Sequence, residues 1–259
     1  MKSQYGEVSV TVDGHVAVLE INRPPNNFVS VELMRDLADA LNDVDADTNL
    51  RASVLAAAGK VFCAGADLAS PTGVGGQGMQ GINPLYDQAV RLFSVKNPIV
   101  AAIQGAAVGA GLGLALVADF RVVAPEARFA ANFVKLGFHP GFGITHTLPR
   151  VVGLQKAQLM CLTGRRIKGE EALAWGVVNQ VCEPGDLMDQ VLAIAGRIAS
   201  FAPLAVRQAK HSIHHGLQMD INTAMQFEIE AYQRMVRSED RIEGVLAFNE
   251  KRKPVFKGR

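Results

Sequence analysis

The stretch GAAVGAGLGLALVA, Gly105 to Ala118, constrains this chain more than any other. Four glycines (Gly105, Gly109, Gly111 and Gly113) lead into an apolar run with no charge until Asp119. Pro98 to Ile103, just before it, reads as a short buried strand, so the local order is strand, glycine turn, helix. Glycines let the backbone turn tightly and let a ligand approach the main chain closely. The helix that follows starts with unpaired N–H groups, a natural seat for negative charge. A second glycine turn, Val61 to Leu68 (VFCAGADL), follows the strand predicted over Arg51 to Ala57. Side by side, two such turns can aim two backbone N–H groups at one oxygen. For either turn alone, close strand–helix packing is the plainer reading.

The rest of the chain supplies a frame for those turns. Val8 to Val12 and Val16 to Ile21 alternate apolar and polar around Asp13-Gly14, which predicts a β-hairpin. Asn22-Arg23-Pro24-Pro25-Asn26-Asn27 breaks regular structure, because consecutive prolines cannot continue a ladder. Ser30 is a plausible N-cap, and Leu33, Leu37, Ala40, Leu41 and Val44 recur at helical spacing. Gly73 to Gly81 is rich in glycine without periodicity and predicts a mobile surface loop. Further along, Pro84 to Phe93 predicts a helix and Phe120 to Val123 a strand. Helices are expected near 144–150 and 154–163, and Val177 to Val181 reads as a last short strand. From Leu187 the chain predicts helices near 187–200, 203–215, 220–238 and 240–250. Strands alternating with helices imply an α/β fold with a largely parallel sheet buried on both faces. The helical tail is a lid or an oligomer interface, with Leu217, Ile221, Met225 and Phe227 to Met235 as its apolar surface.

Composition narrows the function classes. Charged residues make up 20% of 259 and the net charge is +1, so no electrostatic footprint for nucleic acid or an acidic membrane is present. Cys63, Cys161 and Cys182 lie far apart with no CxxC, which argues against a disulfide framework or zinc site and fits a reducing compartment. The N-terminus has no apolar h-region and no run reaches membrane-spanning length, so a cytoplasmic location is expected. GxxxxGK[ST] is absent, GxGxxG does not fit the strand–turn–helix frame, and GxSxG is missing. Those gaps argue against a P-loop, a dinucleotide-binding fold and a serine hydrolase. His211 and His215 lie one helical turn apart, but no third ligand is evident and no metal site is expected.

Phe62-Cys63-Ala64-Gly65-Ala66-Asp67-Leu68 and Gln104-Gly105-Ala106-Ala107-Val108-Gly109-Ala110-Gly111 resemble the two signature stretches of the crotonase (enoyl-CoA hydratase/isomerase) family. The resemblance extends along nearly the whole chain, through Asn22-Arg23-Pro24, Leu162-Thr163-Gly164, Ala172 with Trp175-Gly176-Val177-Val178, and Glu243-Gly244 with Phe248 and Glu250-Lys251-Arg252. It implies a crotonase-like spiral of ββα units, with an acyl-CoA-binding core over 1–200 and a helical oligomerisation or lid region over 201–259. It further implies a homotrimer or a homohexamer built as a dimer of trimers. By the same resemblance, the N–H groups of Ala66 and Ala110 form an oxyanion hole for the carbonyl of an acyl-CoA thioester, with no cofactor beyond the coenzyme A of the substrate. Ala64, Asp67 and Leu68 would lie along the CoA, and Phe256 and Lys257 of a neighbouring subunit could contact its adenine and phosphates.

The family's hydratases use two glutamates as acid and base around a water. In this chain the corresponding positions fall at Gly113 and Phe133, and a further acidic position of some relatives falls at Gly141. None of the three can move a proton. His139, between Phe133 and Gly141, is the candidate replacement, since an imidazole titrates near neutrality; the alternative is a structural imidazole in a glycine–proline turn. Phe133, Phe138 and Phe142 would then line an apolar acyl pocket, with a place in the core as the alternative for each. Asp67 reads as a cap rather than an acid, and Tyr86 and Asp87 could reach the acyl pocket, with exposed surface as the plainer reading. Two functions follow: an acyl-CoA enzyme working through a thioester enolate, or a non-catalytic acyl-CoA binder on the same fold.

Overall fold

The computed structural model describes residues 1–68 and 79–259, with the backbone alone over 79–83. It opens with β1 (Gln4–Tyr5), β2 (Val8–Asp13) and β3 (Val16–Ile21), then α1 (Val31–Ala46), β4 (Ala52–Ala57), α2 (Met79–Phe93), β5 (Ile99–Ile103), β6 (Ala106–Val108) and α3 (Ala110–Ala115). Next come β7 (Phe120–Val123), β8 (Arg128–Ala130), α4 (Ile144–Val152), α5 (Leu154–Thr163), β9 (Arg166–Lys168), α6 (Gly169–Trp175) and β10 (Gln180–Val181). Four helices end the chain: α7 (Leu187–Ala199), α8 (Pro203–Gly216), α9 (Ile221–Val236) and α10 (Glu239–Asn249).

The predicted hairpin is present, with β2 and β3 antiparallel and Val10 opposite Leu19. From β3 onward, β4, β5, β7 and β10 add in parallel, giving a seven-stranded sheet in the order β1-β2-β3-β4-β5-β7-β10. The period of two along each strand decides what it packs against. Ala52, Val54 and Ala56 of β4 join Val100 and Ala102 of β5 on the face covered by Leu187, Val191, Ala195 and Ala199 of α7. Leu55, Ile99, Ala101 and Ile103 face the other way, into the main core with α1. Ser30 caps α1 as its sequence predicts, its Oγ accepting from the Leu33 N–H at 3.1 Å. All five predicted periodic positions of α1 are buried. Burying each Leu there is worth about 2 kcal/mol against leaving it in water.

Other expectations shift. A second, three-stranded sheet, β6-β8-β9, stands beside the first and was not expected. Its strands have three residues each, too short for any periodicity to register. The strand expected over Val177 to Val181 shrinks to Gln180–Val181, because the N–H groups of Val177 and Val178 instead turn back onto the Ala172 carbonyl that ends α6. Of the loop expected over Gly73 to Gly81, residues 73–78 lie outside the described residues, while Met79 to Gly81 already belong to α2. Among the described residues no single helix is long and apolar enough to cross a membrane.

Candidate active site

The first glycine turn is held from beneath by two amides. Asn27, fully buried and at φ +48, donates from Nδ2 to the carbonyls of Ala58 (2.9 Å) and Val61 (2.7 Å), and its Oδ1 accepts from the Arg23 N–H at 3.0 Å. Asparagine tolerates such a positive φ better than most residues. Gln104 Nε2 donates to the Ala57 carbonyl at 2.7 Å and lies 3.1 Å from that of Gly59. The Ala64 N–H then donates to the Asn26 carbonyl (2.9 Å) and the Val29 N–H to the Gly65 carbonyl (2.8 Å). The proline–asparagine break in the sequence is thus the footing of the loop that carries Ala66.

The two glycine turns meet. Cys63 N–H donates to the Ala106 carbonyl at 2.9 Å, and Val108 N–H donates to the Cys63 carbonyl at 3.0 Å. Gly65 has φ +97, and a Cβ there would stand 2.8 Å from the Val108 carbonyl oxygen and 3.6 Å from the Ala110 nitrogen. Only glycine allows both that backbone conformation and that approach. Ala110 opens α3 directly after Gly109, itself at φ +57, so its N–H has no intrahelical acceptor. Among the described residues, neither the Ala66 nor the Ala110 N–H donates to another protein group. Cys63 lies between the turns as a buried thiol pushed up to about 12 by burial, so it stays protonated and is no nucleophile.

Around these turns the wall is aromatic. A Cβ on Gly113 would fall 2.6 Å from the Phe142 Cβ and 2.7 Å from its Cδ1, so Phe142 occupies the space a side chain at 113 would need. Phe142 is buried and tilts against Phe93, with ring centroids 6.5 Å apart. The Phe133 ring spans between the two glycines beside the site: Cζ is 3.9 Å from the Cβ position of Gly109, and Cε1 is 3.5 Å from that of Gly141. Tyr86 is 40% exposed, as its surface reading expects, and its hydroxyl still reaches this wall from α2. Its Oη accepts from the Phe142 N–H at 3.0 Å and stands 2.5 Å from the Cβ position of Gly141. The Asn132 Oδ1 lies 3.4 Å from the Cβ position of Gly109.

The remaining predicted residues are dispersed. His139 is exposed and makes no hydrogen bond or ion pair among the described residues. Ala64 and Asp67 are half-buried on the first turn and Leu68 is exposed. The helix that Asp67 is expected to cap falls on residues outside the described ones. Phe256 and Lys257 lie at the far end of the sheet in this chain. The Phe256 carbonyl accepts from Arg51 at the start of β4 (2.8 Å), and the Lys257 N–H donates to Asp240 (2.6 Å), whereas Ala66 lies beyond the other end of that strand. His211 and His215 stack on each other and on Phe227, and among the described residues no group of three or more potential metal ligands forms.

A cavity of about 810 Å³ opens between α8, α4 and the end of α3, bounded by Phe93, Gly143, Arg150, Lys210 and Ile213. Ala66, Ala110, Phe133 and Tyr86 do not line it. Its one close ionic feature is Asp119, whose carboxylate holds Lys210 Nζ at 2.8 Å, with His214 Nε2 at 3.6 Å. Burial pushes that carboxyl up, but the His214 hydrogen bond and the Lys210 charge together bring it below the usual range. Nothing there resembles the paired N–H groups of the glycine turns.

Sequence reasoning missed Asn27 and Gln104 as parts of the site, and it left Tyr86 between pocket and surface and Phe142 between pocket and core. For Asn27 the signal was the run Pro24-Pro25-Asn26-Asn27; for Tyr86 and Phe142 the contact depends on glycines far away in the chain.

Comparison with known proteins gives the family and the fold. The sequence profile of the enoyl-CoA hydratase/isomerase family matches residues 11–259. The chain is 36% identical over 261 residues to the short-chain-enoyl-CoA hydratase of Clostridium acetobutylicum, covering 96% of this chain and 97% of that one. It is 36% identical over 255 residues to the crotonyl-CoA hydratase of Syntrophomonas wolfei, covering 97% and 98%. The crystal structure of an enoyl-CoA hydratase from Bacillus anthracis superposes with a TM-score of 0.93 at 35% identity, over 98% of this chain and 100% of that chain. Sequence and fold agree along the whole length: the chain belongs to the enoyl-CoA hydratase/isomerase, or crotonase, family.

Proposed function

We propose that this family member transforms an acyl-CoA thioester through an enolate whose oxygen is held by the N–H groups of Ala66 and Ala110, without a carboxylate acid–base pair. The observation that carries the reading is the meeting of the two glycine turns beside Gly65, where neither N–H group has an acceptor among the described residues. Each such donor stabilises the developing charge by about 3 kcal/mol. By the sequence resemblance Gly113, Phe133 and Gly141 take the family's acidic positions, and Phe142 fills the space beside Gly113. Isomerisation, hydrolysis or an atypical hydration fits that inventory better than two-glutamate hydration. His139 is the proton carrier proposed from sequence alone.

Ala64, Asp67 and Leu68 would follow the CoA, and Phe133 the acyl group. Phe256 and Lys257 would reach the CoA of a neighbouring subunit in a homotrimer or a dimer of trimers, and the protein would work in the cytoplasm. Crotonyl-CoA hydration, followed by loss of the enoyl absorbance, tests the central claim. We expect at most trace hydration; turnover at ordinary hydratase rates would overturn the absence of a carboxylate pair. A second reading is favoured by the same Phe142 plug, namely an acyl-CoA binder without chemistry. Tight binding with no turnover across a thioester panel would select it.

A further inference from the structure

We infer that Tyr86 is the proton-carrying group of this site. The inference rests on the enolate reading above. Four observations lead to it. The phenol oxygen accepts from the Phe142 N–H at 3.0 Å, which fixes the hydroxyl while leaving its hydrogen without an acceptor among the described residues. It can stand there because residue 141 is glycine, where a Cβ would come within 2.5 Å of Oη. One edge of the Phe133 ring separates this hydroxyl from Gly109, the residue before Ala110, with Cε1 near Gly141 and Cζ near Gly109. The helix beneath is anchored by buried Leu85, Ala89 and Leu92, so the phenol is held by the fold and not by a loop.

A hydroxyl whose hydrogen has no acceptor among the described residues, on an aromatic wall that reaches Gly109 next to the Ala110 N–H, is suited to exchange a proton with a carbon next to the thioester carbonyl. In the forward sense, the ionised phenol takes an α-proton: an O–H bond forms, the Cα–H bond breaks, and its electron pair becomes the enolate double bond. The carbonyl π pair moves onto the oxygen held by Ala66 and Ala110. In reverse, the Tyr86 O–H returns a proton to Cα and the carbonyl re-forms. Solvent then exchanges the phenol hydrogen. No oxidant or second substrate is needed.

The test is deuterium uptake at Cα, followed by proton NMR in D2O, for a panel of thioesters from acetyl-CoA to octanoyl-CoA with phenylacetyl-CoA. We expect the wild type to exchange at least one of them. We expect Tyr86→Phe to lower that rate by about 100-fold or more, with thioester binding by calorimetry changed less than about threefold. Because Tyr86→Phe also removes the acceptor of the Phe142 N–H, 3-fluorotyrosine at position 86 serves as the companion variant. It keeps that bond and is a more acidic phenol, so exchange at neutral pH is expected to rise several-fold, which a merely structural tyrosine would not produce. Exchange by Tyr86→Phe at the wild-type rate would overturn the inference and leave the enolate reading standing. Loss of exchange in His139→Ala with Tyr86→Phe unaffected would move the proton to His139. A wild type that binds thioesters but exchanges none of them would overturn the enolate reading, and the role of Tyr86 with it.

Discussion

At Gly113 the presence or absence of a single carbon is decisive. A Cβ there would meet Phe142 at 2.6 to 2.8 Å, closer than real side chains approach, and both residues are buried. Gly113→Ala is therefore expected to destabilise the fold by about 1–3 kcal/mol, the usual cost of overpacking. Removing the neighbour's Cβ together with its ring should restore part of that loss, so Gly113→Ala with Phe142→Gly should cost less than the two single changes added together. Urea unfolding of the three variants measures this; simple additivity would mean the two positions do not share space. Gly113→Glu alone should likewise fail to install hydration, since the carboxylate has no room until Phe142 moves. Asn27 makes the converse case. Its buried side chain makes three hydrogen bonds, and Asn27→Ala strands the Ala58 carbonyl and leaves that of Val61 only the longer bond from Gln104 at 3.3 Å. An expected loss of about 2–4 kcal/mol follows from the desolvation of those groups, and the loop carrying Ala66 should loosen with it. Stability of Asn27→Ala within about 0.5 kcal/mol of the wild type would show that Gln104 holds the turn by itself.

Among the elements, the ones legible from sequence are those whose pattern repeats. The β2–β3 hairpin needs only alternation around Asp13-Gly14, and α1 needs only a cap and a 3.6-residue stripe. The three-residue strands β6, β8 and β9 hold no full period, and their pairing is set by neighbours across the chain. The glycine turns announced two close approaches, yet what approaches was hidden. Phe142 lies 29 positions beyond Gly113 and Tyr86 55 before Gly141, and no local pattern joins residues so far apart. The last residues form another such long-range contact. Arg252 forks onto Glu243 at 2.7 and 2.9 Å, and the Val255 N–H donates to the same carboxylate at 2.7 Å. The Arg252 hydrogen bonds, helped by that N–H, hold Glu243 down to about 2. A carboxyl depressed in the native state stabilises it fully above the unfolded value, about 4.3, and loses that contribution as pH falls through the native one. Glu243→Gln should therefore lower stability at pH 7, with the gap from the wild type closing between about pH 4 and pH 2. Urea midpoints across that range measure it; a gap constant with pH would show that the carboxylate charge does not hold the tail.

At the scale of the whole molecule, the spiral core buries its sheet on both faces while the late helices remain half covered. Only Ala231 of α9 is buried, and Ile221, Met225, Ile229 and Tyr232 are between 47% and 72% exposed. Their spacing of four, four and three places them along one stripe of the helix. Ile213 and Leu217 of α8 are equally open, at 64% each. A chain that buries α1 and α7 so fully has no reason of its own to leave such a stripe in water, and contiguous apolar surface of this kind marks an interface. The proposed trimer would cover it with a second copy of the same chain. Because α8 is tied to the core by Lys210 with Asp119 and the Asn97 carbonyl and by Arg207 with Asn97 and the Asp45 carbonyl, and not by that stripe, the stripe can be altered without unfolding the core. Ile221→Glu with Tyr232→Glu is expected to convert an oligomer into a monomer in sedimentation equilibrium, with far-ultraviolet circular dichroism unchanged. If the monomer also loses CoA affinity, the residues completing the site come from the neighbouring copy, as proposed for Phe256 and Lys257. A wild type that sediments as a monomer at every concentration would refute the assembly.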